Sequence, residues 1–209
     1  MITTILICLV IGYFIGCFST GYLVGKANHI DIREHGSGNA GATNTLRTLG
    51  LKAGAITFFG DALKAAIPII IFKTMKPEIE PLWQLYGLYI AIGVTLGHNF
   101  PFHLNFKGGK GIAVMGGTIF AIAGWEATLA AIVIFGVIVY FTRYVSLGSL
   151  IIAWILPIAM FINYRNHPAF LHMLVLCMFI TGLAYVRHSG NIKRLMNGTE
   201  RKLGEKKEQ

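Results

Sequence analysis

Three polar segments interrupt a chain of 209 residues that is 55% hydrophobic, and each carries groups suited to holding an anion. The first reads GSGNAGATN over residues 36–44 and runs on to Arg47. Its glycines, Gly38 among them, let the backbone come close to a ligand, while Ser37, Asn39, Thr43 and Asn44 supply hydroxyl, amide and N–H donors. Such a stretch leading into a helix can turn its N–H groups toward an anion. The alternative is a flexible turn or a helix cap. Arg47 favours the anion, because ten residues after Ser37 it adds the bidentate donor that a phosphate prefers.

The second segment, residues 97–111, reads GHNFPFHLNFKGGKG, with Lys107 and Lys110 bracketing Gly108 and Gly109. Two lysines around a glycine pair resemble an anion cradle, but no glycine sits five residues before Gly109, so the nucleotide P-loop pattern fails. His98 and His103 have no cysteine or carboxylate among them, which speaks against a metal site. His98 is expected to be a hydrogen-bonding histidine at a helix end, with a direct role toward substrate as the alternative. The third segment, residues 187–200, is a basic stretch after the last apolar run. Contact with lipid headgroups would explain it. His188 and Asn191, three apart, would nevertheless share one helical face and could look back under the bundle.

Other chemistries lack their residues. No G-x-S-x-G nucleophile elbow occurs. The His-x4-Asp pair of many membrane acyltransferases is absent, the nearest spacing being His29 with Glu34. A Mg²⁺-dependent phosphatidyl transferase needs clustered aspartates, and only Asp31 and Asp61 exist. Cys8, Cys17 and Cys177 fall in apolar runs without a C-x-x-C pattern and read as packing residues. Asp61 and Lys64, three apart within an apolar run, could pair on one helical face.

The elements that must position these segments are membrane helices. Charged residues are 13% of the chain, about half the roughly 25% of soluble proteins, and mean hydropathy is +0.63. A disordered chain, a disulfide scaffold and a nucleic-acid binder are poor fits. A transporter would want polar groups at mid-membrane and internal repeats, and neither is evident. Apolar windows cover residues 2–24, 53–72, 83–96, 112–124, 127–140, 147–162 and 171–186. If all seven cross, fourteen of the eighteen Lys and Arg share one side, in residues 26–52, 98–111, the Arg143 turn and 187–209. Lys73, Lys76 and Arg165 face the other side. The positive-inside rule then predicts a seven-transmembrane-helix, all-α bundle with its N-terminus outside and its C-terminus cytoplasmic. Residues 124–126 would form an outer turn. Fusing 112–141 into one crossing would put the basic tail outside, and such a helix would be about 45 Å long. Six or five crossings are the fallback if a short window is re-entrant.

Together the three segments resemble the motifs of the bacterial acyl-phosphate:glycerol-3-phosphate acyltransferase family, the PlsY family. GSGNAGATN with Arg47, GHxxPxxxxFKGGKG and RHxxNIKRLxxGTE occur in order, and DIR at 31–33, RTLG at 47–50 and TRYVSL at 142–147 extend the match. Departures fall in the apolar runs: the family often has Ser and Pro where Cys17 and Ser19 stand, and commonly Leu and Gly where Gly60 and Ala65 stand.

The resemblance implies one acyltransferase domain over residues 1–209, in the bacterial cytoplasmic membrane, with its site facing the cytoplasm. It implies transfer of a fatty acyl group from acyl phosphate to the sn-1 hydroxyl of glycerol 3-phosphate, without a cofactor, a metal or a nucleic-acid partner. Membrane lipid and an acyl-phosphate-producing enzyme at the inner face are the partners it brings. By motif position Ser37 and Arg47 would bind the glycerol 3-phosphate, and Lys110, His188 and Asn191 would complete the pocket. Gly108 and Gly109 would offer backbone N–H groups to the acyl donor. Gly38, Asn39, Thr43, Asn44 and Lys107 are the remaining candidate substrate contacts. The segments are rich in cations and poor in carboxylates, which points to a phosphate oxygen of the substrate as the base. His188 or His98 as general base is the competing expectation.

Overall fold

The structure, a computed structural model, describes residues 1–75 and 82–205, and every regular element among them is helical. Lys76, Lys206 and Lys207, which entered the sorting of charges, lie outside the described residues. The helices are α1 (Ile2–Cys17), α2 (Thr20–Ala27), α3 (Ala42–Leu49), α4 (Leu51–Met75), α5 (Trp83–Asn99), α6 (Ile112–Thr142), α7 (Val145–Ile152), α8 (Ile155–Tyr164), α9 (Phe170–Arg187) and α10 (Ser189–Met196). Five stretches among the described residues are long and apolar enough to cross a membrane: Ile2–Ala27, Leu51–Met75, Ile112–Thr142, Val145–Tyr164 and Phe170–Arg187. Their outward side chains, such as Leu6, Phe14, Phe59, Ile132 and Val137, are exposed. Lipid tolerates such a surface, whereas water would not.

α5 is buried on nearly every side and packs against α1, α4, α6 and α9. Small residues make the closest approach possible. A side chain on Gly12 or Gly16 of α1, or on Gly93 or Gly97 of α5, would run into the facing helix backbone. This is small-xxx-small packing from both partners, the usual way in which membrane helices gain van der Waals contact.

The apolar window over residues 2–24 is broken. Phe18 and Ser19 are extended, so carbonyls at the end of α1 lose their helical donors. The Lys64 ammonium of α4 meets that need, donating to the carbonyls of Gly16 at 3.2 Å and Phe18 at 2.7 Å and pairing with Asp61 at 2.9 Å. Asp61, 1% exposed, also accepts from the Thr20 hydroxyl at 3.0 Å. Asp61→Ala is therefore expected to lower stability by about 3–5 kcal/mol, because it strands a buried ammonium. The midpoint of thermal unfolding in detergent measures this, and an unchanged midpoint would mean that Lys64 needs no counter-charge.

α6 departs from helical geometry at Gly124, where φ is 91° and ψ is −177°. Its two ends are tied to one short piece of chain. Lys110, just before α6, donates to Asn191, and Asn191 donates to Glu200 at 2.7 Å. Arg143, just after α6, donates to the Leu203 carbonyl at 2.7 Å. Residues 200 and 203 lie within about 10 Å of each other along the chain, whereas a straight helix of this length would part its ends by about 46 Å. The helix therefore bends at Gly124, within the expected turn. At the other end the Tyr164 hydroxyl donates to the Ile122 carbonyl at 2.9 Å, closing α8 against that turn.

Candidate active site

The three polar segments meet at one end of the bundle. α5 finishes at Asn99, and residues 100–111 fold back beneath it with Lys110 at the entrance to α6. The Gly108 N–H donates to the Asn99 carbonyl at 3.2 Å and the Gly109 N–H to the His98 carbonyl at 3.0 Å. The two N–H groups expected to face the acyl donor are engaged here by the open end of α5. Both positions must be glycine for a different reason. A Cβ on Gly108 would strike the His98 carbonyl, and one on Gly109 would strike the His98 imidazole.

The opposite edge of this loop is clamped by Arg187 at the end of α9. Its guanidinium donates to the Gly109 carbonyl at 3.0 and 3.2 Å and to the Gly108 carbonyl at 3.2 Å, and lies 5.0 Å over the Phe100 ring. The first segment docks on the same edge, since the Asn39 amide donates to the Gly108 carbonyl at 3.3 Å. Arg33, paired with Asp31 at 2.6 Å, reaches the Leu104 carbonyl at 3.1 Å and ties the two segments a second time.

Lys110 is the centre of charge. Its ammonium donates to the Asn191 amide oxygen, and the Asn191 amide donates in turn to Glu200, which also accepts from Arg194 at 2.8 Å. Burial works against the Glu200 carboxylate, but the hydrogen bonds from Asn191 and Arg194 hold its pKa below the usual range. Burial pushes Lys110 down to about 8, against the pull of Glu200 and with the cations Arg194, Arg187 and Arg47 adding to the push. A half-buried ammonium with three guanidiniums acting on it against one carboxylate is short of negative charge, and a phosphorylated ligand would supply it.

His188 caps the junction of α9 and α10 and is buried. Its Nδ1 sits 2.7 Å from the Ala184 carbonyl, so in the neutral ring Nδ1 carries the proton and Nε2 the lone pair. Burial, with the Lys110 charge beside it, pushes its pKa down to about 4. The Arg47 guanidinium donates to the Arg201 carbonyl at 3.2 Å, which engages one of its five N–H donors.

The structure thus brings Asn39, Arg47, Lys110, His188 and Asn191 to one region, with the exposed Ser37 two residues from Asn39 and Gly38 turning the chain between them at φ 72°. Thr43 stands half-buried in the first turn of α3 and Lys107 is exposed on the loop. Asn44 differs from its expected part in substrate contact. Buried, it accepts from the Ser37 N–H at 2.8 Å and donates to the Ile32 and His35 carbonyls at 3.0 Å each, so it braces the loop from behind. His98 faces the same way, with Lys64 donating to its Nδ1 at 2.9 Å. Arg187 and Glu200 stand in the same region and are absent from the expected contacts. Arg187 was counted as a cation that sets topology, and the signal for Glu200 was its being the one carboxylate of the third segment. No cluster of three or more metal-binding side chains occurs among the described residues.

Residues 6–198 match the family model described as glycerol-3-phosphate acyltransferase. A protein of that name from Clostridioides difficile (strain 630) is 44% identical over 202 residues, covering 95% of each chain. One from Alkaliphilus metalliredigens (strain QYMF) is also 44% identical over 202 residues, covering 96% of this chain and 97% of its own. Among solved structures, PlsY (YgiH), described as an integral membrane glycerol 3-phosphate acyltransferase, matches in its glycerol 3-phosphate form with a TM-score of 0.84, 32% identity and 96% coverage of both chains. Its lysophosphatidic acid form matches with a TM-score of 0.79 at 32% identity, over 96% of this chain and 95% of that one.

Proposed function

This chain belongs to the glycerol-3-phosphate acyltransferase family, and from that premise we propose that it moves a fatty acyl group from acyl phosphate to the sn-1 hydroxyl of glycerol 3-phosphate, releasing inorganic phosphate. The observation that carries this reading is the convergence of Lys110, Arg47, Arg187 and Arg194 on one site, where cations outnumber the nearby carboxylates Glu200 and Glu205. Two phosphorylated substrates are the natural complement of that charge. The forms in which the solved relative was captured, glycerol 3-phosphate and lysophosphatidic acid, are an acceptor and a product of this kind.

The whole chain works as one domain with seven crossings, its N-terminus outside and the site at the cytoplasmic face of the bacterial cell membrane. The break at Gly124 and the joining of all four basic segments through hydrogen bonds support that count. An acyl phosphate presents its chain to lipid and its head to the surface, so donor and acceptor meet at one depth. The enzyme that makes the acyl phosphate is a fitting partner on that face.

The chemistry is one displacement. The glycerol hydroxyl attacks the acyl carbonyl carbon, the carbonyl–O bond to phosphate breaks, and the hydroxyl proton passes to a phosphate oxygen of the substrate. A mixed anhydride has a good leaving group, so positioning and charge stabilisation suffice. Lys110 steadies the charge that gathers on the reacting phosphate and carbonyl oxygens. Arg47, held by Arg201 on one side, offers its remaining donors to the acceptor's phosphate, with Ser37 beside it. Arg47→Lys is accordingly expected to raise KM for glycerol 3-phosphate about tenfold with little change in kcat, because a point charge cannot replace the fork. An unchanged KM would remove Arg47 from that site.

The test of the reaction uses purified protein in lipid with glycerol 3-phosphate and either palmitoyl phosphate or palmitoyl-CoA. Lysophosphatidic acid is expected from the first donor alone. No turnover with palmitoyl phosphate, or equal turnover with both, would overturn the choice of donor.

A further inference from the structure

We propose that Asp61 and Lys64, inside the membrane on α4, are positioning residues for acyl transfer, holding His98 as the neutral Nε2–H tautomer against the Gly108–Gly109 loop. This rests on the reading of that loop as part of the transfer site.

The Lys64 ammonium has four acceptors around it: the Gly16 and Phe18 carbonyls, Asp61 and the His98 Nδ1. An ammonium shares its three N–H groups among them and has no lone pair with which to accept, so His98 Nδ1 accepts and a neutral ring carries its hydrogen on Nε2. Asp61 cannot compete for the ring. Its Oδ1 stands 3.7 Å from Nδ1, outside hydrogen-bond range, and it serves to balance Lys64 and to accept from Thr20.

The other edge of the ring meets the loop. A Cβ placed on Gly109 would meet the His98 Nε2 first and then Cε1, so the Gly109 backbone rests directly on that edge. The His98 carbonyl holds the same residue through the Gly109 N–H. One histidine therefore fixes the depth of the residue preceding Lys110, and Lys64 fixes the rotation of that histidine. The pair is also the cap for α1 described above. A cap alone requires nothing of His98, which separates the two roles.

The experiment compares the full chain in detergent micelles as wild type, Lys64→Met and the double variant Asp61→Asn/Lys64→Met, each labelled with ¹⁵N at histidine. The His98 signals are assigned by their loss in His98→Gln. In the wild type the His98 Nδ1 is expected to be unprotonated and Nε2 protonated throughout about pH 6 to 8, a range spanning the ordinary histidine transition. In both variants that fixed state is lost. The double variant leaves no buried unpaired charge and is expected to recover part of the thermal midpoint that Lys64→Met loses, the carbonyls at the end of α1 still lacking their donor. Its kcat should nevertheless remain about 10²-fold low, the cost of a misplacement of about 1 Å, with KM for glycerol 3-phosphate unchanged. Return of kcat in step with the midpoint would show that the pair acts through stability alone, and would overturn the proposal. A wild-type His98 with its proton on Nδ1 would overturn it as well. If wild type fails to turn over acyl phosphate, the reading of the reaction fails, while the ¹⁵N spectrum still decides the tautomer.

Discussion

Lys110→Ala is expected to lower kcat/KM for glycerol 3-phosphate by about 10²–10³-fold, the range found when one preorganised donor to developing charge is removed. The ammonium is held by Asn191, which is itself held by Glu200, so it arrives at the reaction already oriented. No other cation replaces it: Arg187 is committed to the Gly108 and Gly109 carbonyls and Arg194 to Glu200. The same residue sets a pH limb. Because burial lowers its pKa to about 8, the ammonium is charged below that pH and is lost above it. Wild-type kcat/KM should therefore fall about tenfold per pH unit beyond about pH 8, and Lys110→Ala should lack that limb. On the acid side a phosphate monoester becomes a dianion near pH 6, which places the rising limb there if substrate phosphate is both ligand and base. A rising limb near pH 4 would assign the base to His188, whose pKa burial and Lys110 lower to about 4. Steady-state rates from acid to alkaline pH on the two proteins measure both limbs.

Gly109→Ala is expected to be nearly as damaging, with kcat falling about 10²-fold. The added methyl would fall on the His98 imidazole, and that ring has little room to yield, since Lys64 holds its Nδ1 at 2.9 Å. The loop must move instead, carrying Lys110 and the two carbonyls that Arg187 and Asn39 grip. Gly116→Ala is the control. Nothing lies within 4 Å of a Cβ there, and in a helix interior alanine is favoured over glycine, so activity should be retained. Turnover of the two variants at matched thermal midpoints distinguishes a displaced loop from a misfolded bundle, and wild-type kcat in Gly109→Ala would remove the loop from the site.

The elements were legible wherever one local property decides them. Apolar length marked the helices, and Gly124-Trp125-Glu126 marked the break in helical geometry within residues 112–142. The three polar segments were legible as a site because their residue types are out of place beside membrane helices. What a side chain does within the site was less so, since it depends on partners far along the chain. Asn44 has the composition of a ligand contact, yet its hydrogen bonds close a loop. The glycines of the second segment look like anion-binding backbone, and only the nearness of the α5 carbonyls shows where their N–H groups go. Asp61 and Lys64 could be paired from spacing, but His98 is 34 residues away from Lys64, and no local pattern joins them. Breaks inside an apolar run were equally hidden, for Phe18 and Ser19 interrupt a window that holds neither a charged residue nor a proline.

A one-step transfer between two phosphorylated substrates in this pocket is tested most directly by isotope exchange. Purified protein in lipid is given palmitoyl phosphate and labelled inorganic phosphate, first without glycerol 3-phosphate and then with it. Direct transfer predicts that no label enters palmitoyl phosphate while the acceptor is absent, and that one phosphate is released for each lysophosphatidic acid formed once it is added. Label appearing in palmitoyl phosphate without the acceptor would reveal an acyl-enzyme and contradict a site built from cations and backbone without a protein nucleophile.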